Sequence, residues 1–225
     1  MCYDGNILTD IIECYYRQDA LSTYFNVSDL WDFAVSDDEE VRMWLAKALA
    51  FEQSNLQTVG LLSMLSLDAD AMVRVEAVDS ISNFPWPQSY AIVKNALDDN
   101  EELVRAYAVY GTASLGNKLN PNDARKSLQS LLLTETSLRV KVDIFEGLYI
   151  LGDQSALSHL IECYKCDNHH IKCAVLNALE NQLNKENVNQ IRGFLRNCII
   201  ENESISVTTI ISKLLAECCQ LNRNS

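Results

Sequence analysis

Turn-forming residues are scarce in this chain. Its 225 residues include only 7 Gly and 3 Pro, too few for the many tight turns of an all-β sandwich or barrel. Neither G-x-G-x-x-G nor G-x-x-x-x-G-K-[ST] occurs, so there is no glycine-rich loop of the kind that cradles phosphates. G-x-S-x-G and H-E-x-x-H are missing as well, which removes the common signatures of serine and zinc hydrolysis. No apolar run approaches the roughly 20 residues that a membrane helix needs. The first residues, Met1-Cys2-Tyr3-Asp4, lack the positive and apolar regions of a signal peptide. The expectation is a cytoplasmic protein without a membrane partner, whose 8 cysteines are thiols in a reducing compartment.

Positive charge is the other shortage. Lys and Arg number 18 against 31 Asp and Glu, a net charge of −13. Nucleic-acid binding is driven by basic side chains that displace counterions, so no nucleic-acid partner is expected. The imbalance is uneven: residues 1–120 hold 19 acids and 7 bases, and residues 121–225 hold 12 and 11. A basic partner would be steered toward the N-terminal half. With 48% hydrophobic and 22% charged residues, the chain has the composition of a folded protein.

What the sequence does have is a repeat. Val41-Arg42-Met43-Trp44-Leu45-Ala46-Lys47-Ala48-Leu49 returns as Val73-Arg74 with Ala77-Val78 and Ser80-Ile81, and as Val104-Arg105 with Ala108-Val109 and Gly111. Further copies are Val140-Lys141 with Ile144-Phe145 and Gly147-Leu148, Ile171-Lys172 with Val175-Leu176 and Ala178-Leu179, and a fainter Ile205-Ser206 with Thr209-Ile210. The basic position steps by 32, 31, 36 and 31 residues. Apolar residues at i, i+4, i+5, i+7 and i+8 define one broad helical face. Acids or Asn precede each copy, as at Asp37–Glu40, Asp68–Asp70, Asp98–Glu102, Asp167-Asn168 and Asn202-Glu203, where they suit the free N–H groups and dipole of a helix start. Second apolar-periodic stretches lie between copies, at 56–65, 90–97, 124–133, 156–164 and 188–199, two of them preceded by Pro87 or Pro121. Each unit is therefore a helix pair that must stack on its neighbours to bury its core. Small residues at Ala46, Ala48, Ser80, Gly111, Gly147 and Ala178 would allow close helix approach.

This D-x-x-V-R-x-x-A-A-x-A-L pattern with a preceding helix resembles the HEAT repeats of the phycobilisome-lyase-like type. The nearest single match is LGDQSALSHLIECYKCDNHHIKCAVLNAL, residues 151–179. The resemblance implies an all-α fold, a right-handed α-α superhelix or HEAT-like solenoid of about six helix-pair repeats over residues 28–215. Residues 1–27, with Ile7, Ile11, Ile12, Tyr15 and Tyr16, read as an N-terminal cap, and 216–225 as a C-terminal tail of the same single domain. Members of such families serve as scaffolds, adaptors, inhibitors, lyases and DNA-repair glycosylases, so the resemblance implies fold more than function.

Two groups of residues invite a chemical reading. His159, Cys163, Cys166, His169, His170 and Cys173 fall within 15 residues. No second C-x-x-C or H-x-x-x-H completes a four-ligand set, so no metal or other cofactor is expected. If a metal did bind, Cys163, Cys166, His169 and Cys173 would hold it, making the chain a zinc-stabilised adaptor. The second group lies two and five residues past each basic position, opposite the core face. These are Trp44, Lys47, Glu76, Asp79, Tyr107, Tyr110, Asp143 and Glu146, a stripe of carboxylates and aromatic rings expected on the concave side of the stack. The basic positions themselves, Arg42, Arg74, Arg105, Lys141 and Lys172, are expected to brace one repeat on the next through carboxylates and helix-end carbonyls rather than to bind phosphate. No catalytic residue is assigned. The expected function is protein–protein interaction: a non-enzymatic binder of a basic protein, most specifically an immunity protein that performs toxin neutralisation on a nuclease. A HEAT-like lyase or other enzyme acting on a chromophore or nucleic acid is the alternative.

Overall fold

The computed structural model describes residues 6–198 and 204–223. Among these the chain is all-α, with no strand. The helices are α1 (Ile7–Arg17), α2 (Val27–Ala34), α3 (Glu39–Ala48), α4 (Leu56–Leu65), α5 (Ala71–Ile81), α6 (Pro87–Asn95), α7 (Glu102–Leu119), α8 (Pro121–Thr134), α9 (Leu138–Ile150), α10 (Ala156–Glu162), α11 (His169–Asn181), α12 (Val188–Cys198) and α13 (Ile205–Arg223). No helix of the described residues is long and apolar enough to cross a membrane. Packing divides the chain into two compact units, Met1–Leu131 and Leu132–Ser225.

Three helix starts follow the anticipated caps: Asp38 accepts the Glu40 N–H, Asp70 those of Met72 and Val73, and Asn168 that of His170. Asn55 caps α4 in the same way, accepting from Gln57 and Thr58. Each satisfies donors that a first helical turn leaves open, whereas Glu101 ahead of α7 makes no side-chain cap bond. Pro87 and Pro121 stand at the first position of α6 and α8, where a missing N–H costs nothing. The anticipated cap at Asn202-Glu203 and the end of one stretch at Ile199 lie outside the described residues. α9 ends at Leu151-Gly152. Gly152 takes φ 90°, and the Asp153 N–H returns to the Leu148 carbonyl at 3.0 Å, a helix stop that favours glycine.

In the first unit the helices form two rows. α1 packs on α3, α3 on α5 and α5 on α7, while α2 packs on α4 and α4 on α6. Between rows, α2 meets α3, α4 meets α5 and α6 meets α7. The repeat positions supply the layer between them. Val41, Leu45, Ala46 and Ala48 on α3 with Leu49 just after it, Val73, Ala77, Val78, Ser80 and Ile81 on α5, and Val104, Ala108, Val109, Gly111 and Thr112 on α7 are all buried. Each large aliphatic among them contributes about 1.5–3 kcal/mol on burial. Gly116 on α7 leaves no room for a side chain against α8: a Cβ there would collide with the Cβ of Ala124 and lie 3.2 Å from the Tyr90 ring. The Tyr90 hydroxyl and the Lys94 ammonium both donate to Asp123, at 2.8 and 2.6 Å, tying α6 to α8. Glu52, buried after α3, accepts from the Ser22 N–H and hydroxyl at 2.7 and 2.8 Å, which secures the segment behind α1.

In the second unit α9 packs on α10 and α11, and α13 on α11 and α12. Val140, Ile144, Gly147 and Leu148, and Ile171, Val175, Leu176, Ala178 and Leu179, are buried as the repeat requires. The final copy departs from it. Ile205 is 87% exposed, and Val207, Ile211, Leu214 and Cys218 are buried instead, so the core face of α13 sits two residues later than the pattern places it.

Candidate functional site

The arginines at the basic positions of the first unit are structural, whereas Lys172 lies over the Tyr164 ring at 5.0 Å. In the first unit the Arg42 guanidinium grips Asp68 with Nε and Nη2 at 2.7 and 3.0 Å, and its Nη1 donates to the Ser36 carbonyl. Arg74 repeats this one helix pair later, gripping Asp99 at 2.8 and 2.9 Å while Nη1 reaches the Asp68 and Ala69 carbonyls. Arg105 donates to the Asp99 and Asn100 carbonyls. The paired side chains are only 10–15% exposed. Burial alone would raise the Asp68 and Asp99 carboxyls, yet the guanidiniums of Arg42 and Arg74 and the N–H groups of Asp70 and Glu101 hold both below the ordinary carboxylate range. Arg42 and Arg74 thus each tie the start of their own helix to the turn that opens the next repeat, which explains the spacing of 32 and 31 residues between the first three basic positions.

Trp44, Lys47, Glu76, Asp79 and Tyr107 of the stripe lie close together on the row formed by α1, α3, α5 and α7. Lys47 is the hub. Its ammonium bonds the Glu76 carboxylate at 3.0 Å and lies 5.2 and 5.4 Å from the ring centroids of Tyr15 and Trp44, within cation–π range. Tyr15 meets Trp44 edge-on at 5.5 Å, and Tyr16 meets it at 6.1 Å. Burial works against the charge on Lys47, but Glu76, with Tyr15 and Tyr107 nearby, holds its ammonium above the ordinary range. Asp79, one turn beyond Glu76, is exposed to solvent. Crowding by the protein and the adjacent Glu76 push its carboxyl above the ordinary range, and Lys47 offsets them only in part. Tyr107 is half-buried and Tyr110 is 58% exposed on α7.

Tyr15 and Tyr16, read in the sequence as part of an N-terminal cap, also line this surface: Tyr16 is 74% exposed and α1 lies directly on α3. Their aromatic character was the available signal, but α1 carries no copy of the repeat from which to infer its facing. Asp143 and Glu146 sit in the second unit. Asp143 is 3.4 Å from Arg139, and Glu146 accepts from the side-chain amides of Asn181 and Gln182 at 3.2 and 2.9 Å. The next stripe position, Ala174, is buried.

Among the described residues no three His, Cys, Asp or Glu side chains converge on a common metal position. Cys163, Cys166, His169 and Cys173 are not drawn into a ligand set. His159 stacks on Phe145 at 5.3 Å, His169 lies against His170, and the Cys166 thiol points to the Asn168 carbonyl at 3.6 Å. Burial, with Cys166 nearby, raises the Cys163 thiol, which leaves it a poor nucleophile. No protein-family model matches the chain, and no curated protein matches it closely enough to be counted a relative.

Proposed function

We propose that the chain is a non-enzymatic, HEAT-like α-α solenoid of the cytoplasm, and that the α1–α3–α5–α7 row binds a basic protein. The observation that carries this reading is the surface around Lys47. Three aromatic side chains, Tyr15, Tyr16 and Trp44, keep solvent contact beside Lys47 and the Glu76 and Asp79 carboxylates, and Tyr110 is exposed on α7. Rigid rings give contact area at low entropic cost and are enriched where binding energy concentrates. Residues 1–120 carry 12 more acids than bases, which attracts a cationic partner and repels nucleic acid. Nucleases that act in other cells are typically basic, so the most specific form of the reading is an immunity protein that covers such a toxin.

The test is co-purification with the product of the adjoining gene, using the wild type and an Asp79→Lys/Tyr110→Ala variant. Both positions are exposed, so the variant keeps the core. A basic, nuclease-like partner held by the wild type and released by the variant supports the reading. An acidic partner, or full retention by the variant, overturns it.

A further inference from the structure

The other row of the first unit, α2–α4–α6, carries an exposed apolar face. Residues 53–67, which contain α4, include no ionisable side chain, in a chain whose residues are 22% charged. Leu56 at the start of α4 is 71% exposed, and Leu67 just past its end is 82% exposed. They stand 11 residues apart, about three helical turns, and so share one side of α4. Between them, Gly60 faces α2, where a Cβ would lie 3.7 Å from the Trp31 ring. Ser63 faces α6, and with Leu67 and Ile92 it lines a shallow cavity of about 140 Å³. Val27 and Val35, one turn to either side of Trp31 on α2, are 45% and 67% exposed. Single exposed leucines are ordinary, but a contiguous apolar face marks an interface.

The spacing of the row says what covers it. Leu56, Gly60, Ser63 and Leu67 step by 4, 3 and 4 residues, so the row turned end for end sets large on large and small on small. That is the condition for a two-fold contact, in which residue i meets j and j meets i. Charge favours the same occupant. At a net charge of −13 two copies repel one another, and an uncharged α4 lets them meet where that repulsion is least. A basic partner would gain no attraction there. From this we infer that the α2–α4–α6 face is a homodimer contact. In it α4 runs antiparallel to α4 of a second copy, Leu56 lies against Leu67 of that copy, and the dyad passes between Gly60 and Ser63 with Trp31 beside it.

The face is small. Helices of 8, 10 and 9 residues, about 15 Å long at most and about 10 Å apart, present roughly 15 by 30 Å. Two copies would then cover on the order of 900 Å², at the weak end of specific interfaces, so the dimer dissociates on dilution. It leaves the α1–α3–α5–α7 row free and does not rest on the partner reading.

Sedimentation equilibrium from about 1 to 200 µM, the range of a weak interface, tests this on the wild type, Leu56→Glu, Leu67→Lys and the control Leu133→Glu. Leu133 is 86% exposed in the second unit, so its variant adds the same charge elsewhere. All three positions are exposed, and melting temperatures verify that each variant is folded. The wild type and Leu133→Glu should dimerise reversibly. Leu56→Glu and Leu67→Lys should each weaken the dimer about tenfold or more, because each sets a charge against a leucine. An equimolar mixture of the two should recover it, because opposite charges then face one another. A wild type that stays monomeric overturns the inference, as does a Leu56→Glu variant that dimerises like the wild type. Equal losses in Leu133→Glu and Leu56→Glu overturn it in favour of net charge alone. Loss in both α4 variants without recovery in the mixture overturns the antiparallel pairing of Leu56 with Leu67.

Discussion

Replacing Arg74 by methionine removes the best-formed link of the arginine ladder while keeping most of the apolar stem. Arg74 makes two bonds to Asp99 and two to the carbonyls of Asp68 and Ala69. A solvent-exposed ion pair contributes about 0–1 kcal/mol. Breaking a fully buried one costs about 3–5 kcal/mol, because the remaining charge is stranded. With 15% and 14% of the two side chains exposed, the pair lies near the buried limit. The expected loss is about 3 kcal/mol, or about 6–12 °C in melting temperature for a chain of this size. Chemical denaturation of the wild type, R74M, D99N and the double variant would isolate the coupling, expected at about 2 kcal/mol. R74K should fall between R74M and wild type, because an ammonium restores charge but not the two-pronged grip. A loss under about 1 kcal/mol in R74M, with no coupling to D99N, would refute the claim that these arginines brace the stack.

Three further expectations follow from the packing and the charges. Thr112 is fully buried and its hydroxyl has no hydrogen-bond partner, so Thr112→Val should stabilise by about 1 kcal/mol in urea denaturation. Gly116→Ala should destabilise by about 1–3 kcal/mol through its collision with Ala124, whereas Gly193→Ala, which meets nothing within 4 Å, should stabilise α12 by about 0.5–1 kcal/mol. The lowered Asp68 and Asp99 carboxyls bind fewer protons folded than unfolded. Their stabilisation is present above the ordinary carboxylate range and is lost as pH falls through the lowered values. Asp79 is raised and has the opposite sign. Asp79→Asn should therefore be more stable than wild type at neutral pH, with the gap closing as pH falls through the raised Asp79 value.

Much of the helix pairing was legible because one residue type reports on it. An arginine followed at i+3, i+4, i+6 and i+7 by small or aliphatic residues fixes both helix phase and repeat boundary, and α3, α5 and α7 obey it. α13 shows what happens without that anchor. Ile205 and Ile210 form one apolar row and Val207, Ile211 and Leu214 another, and with Ser206 at the basic position the pattern cannot choose between them. Packing chose the second. That Trp44, Lys47, Glu76 and Asp79 share one face was legible because they lie on repeat helices. The contribution of α1 was not, since the facing of Tyr15 and Tyr16 depends on how the first helix lies on α3, a tertiary contact that periodicity does not encode. Nor was the pairing of Lys47 with Glu76, which are 29 residues apart.

Hydrogen–deuterium exchange on the complex with the basic partner tests whether the α1–α3–α5–α7 row of the first unit binds it. Added protection is expected in residues 12–17, 43–48, 75–80 and 106–111, with α4 and α6 unchanged. Protection confined to α4 and α6, with those four segments exchanging as in the free protein, would contradict it.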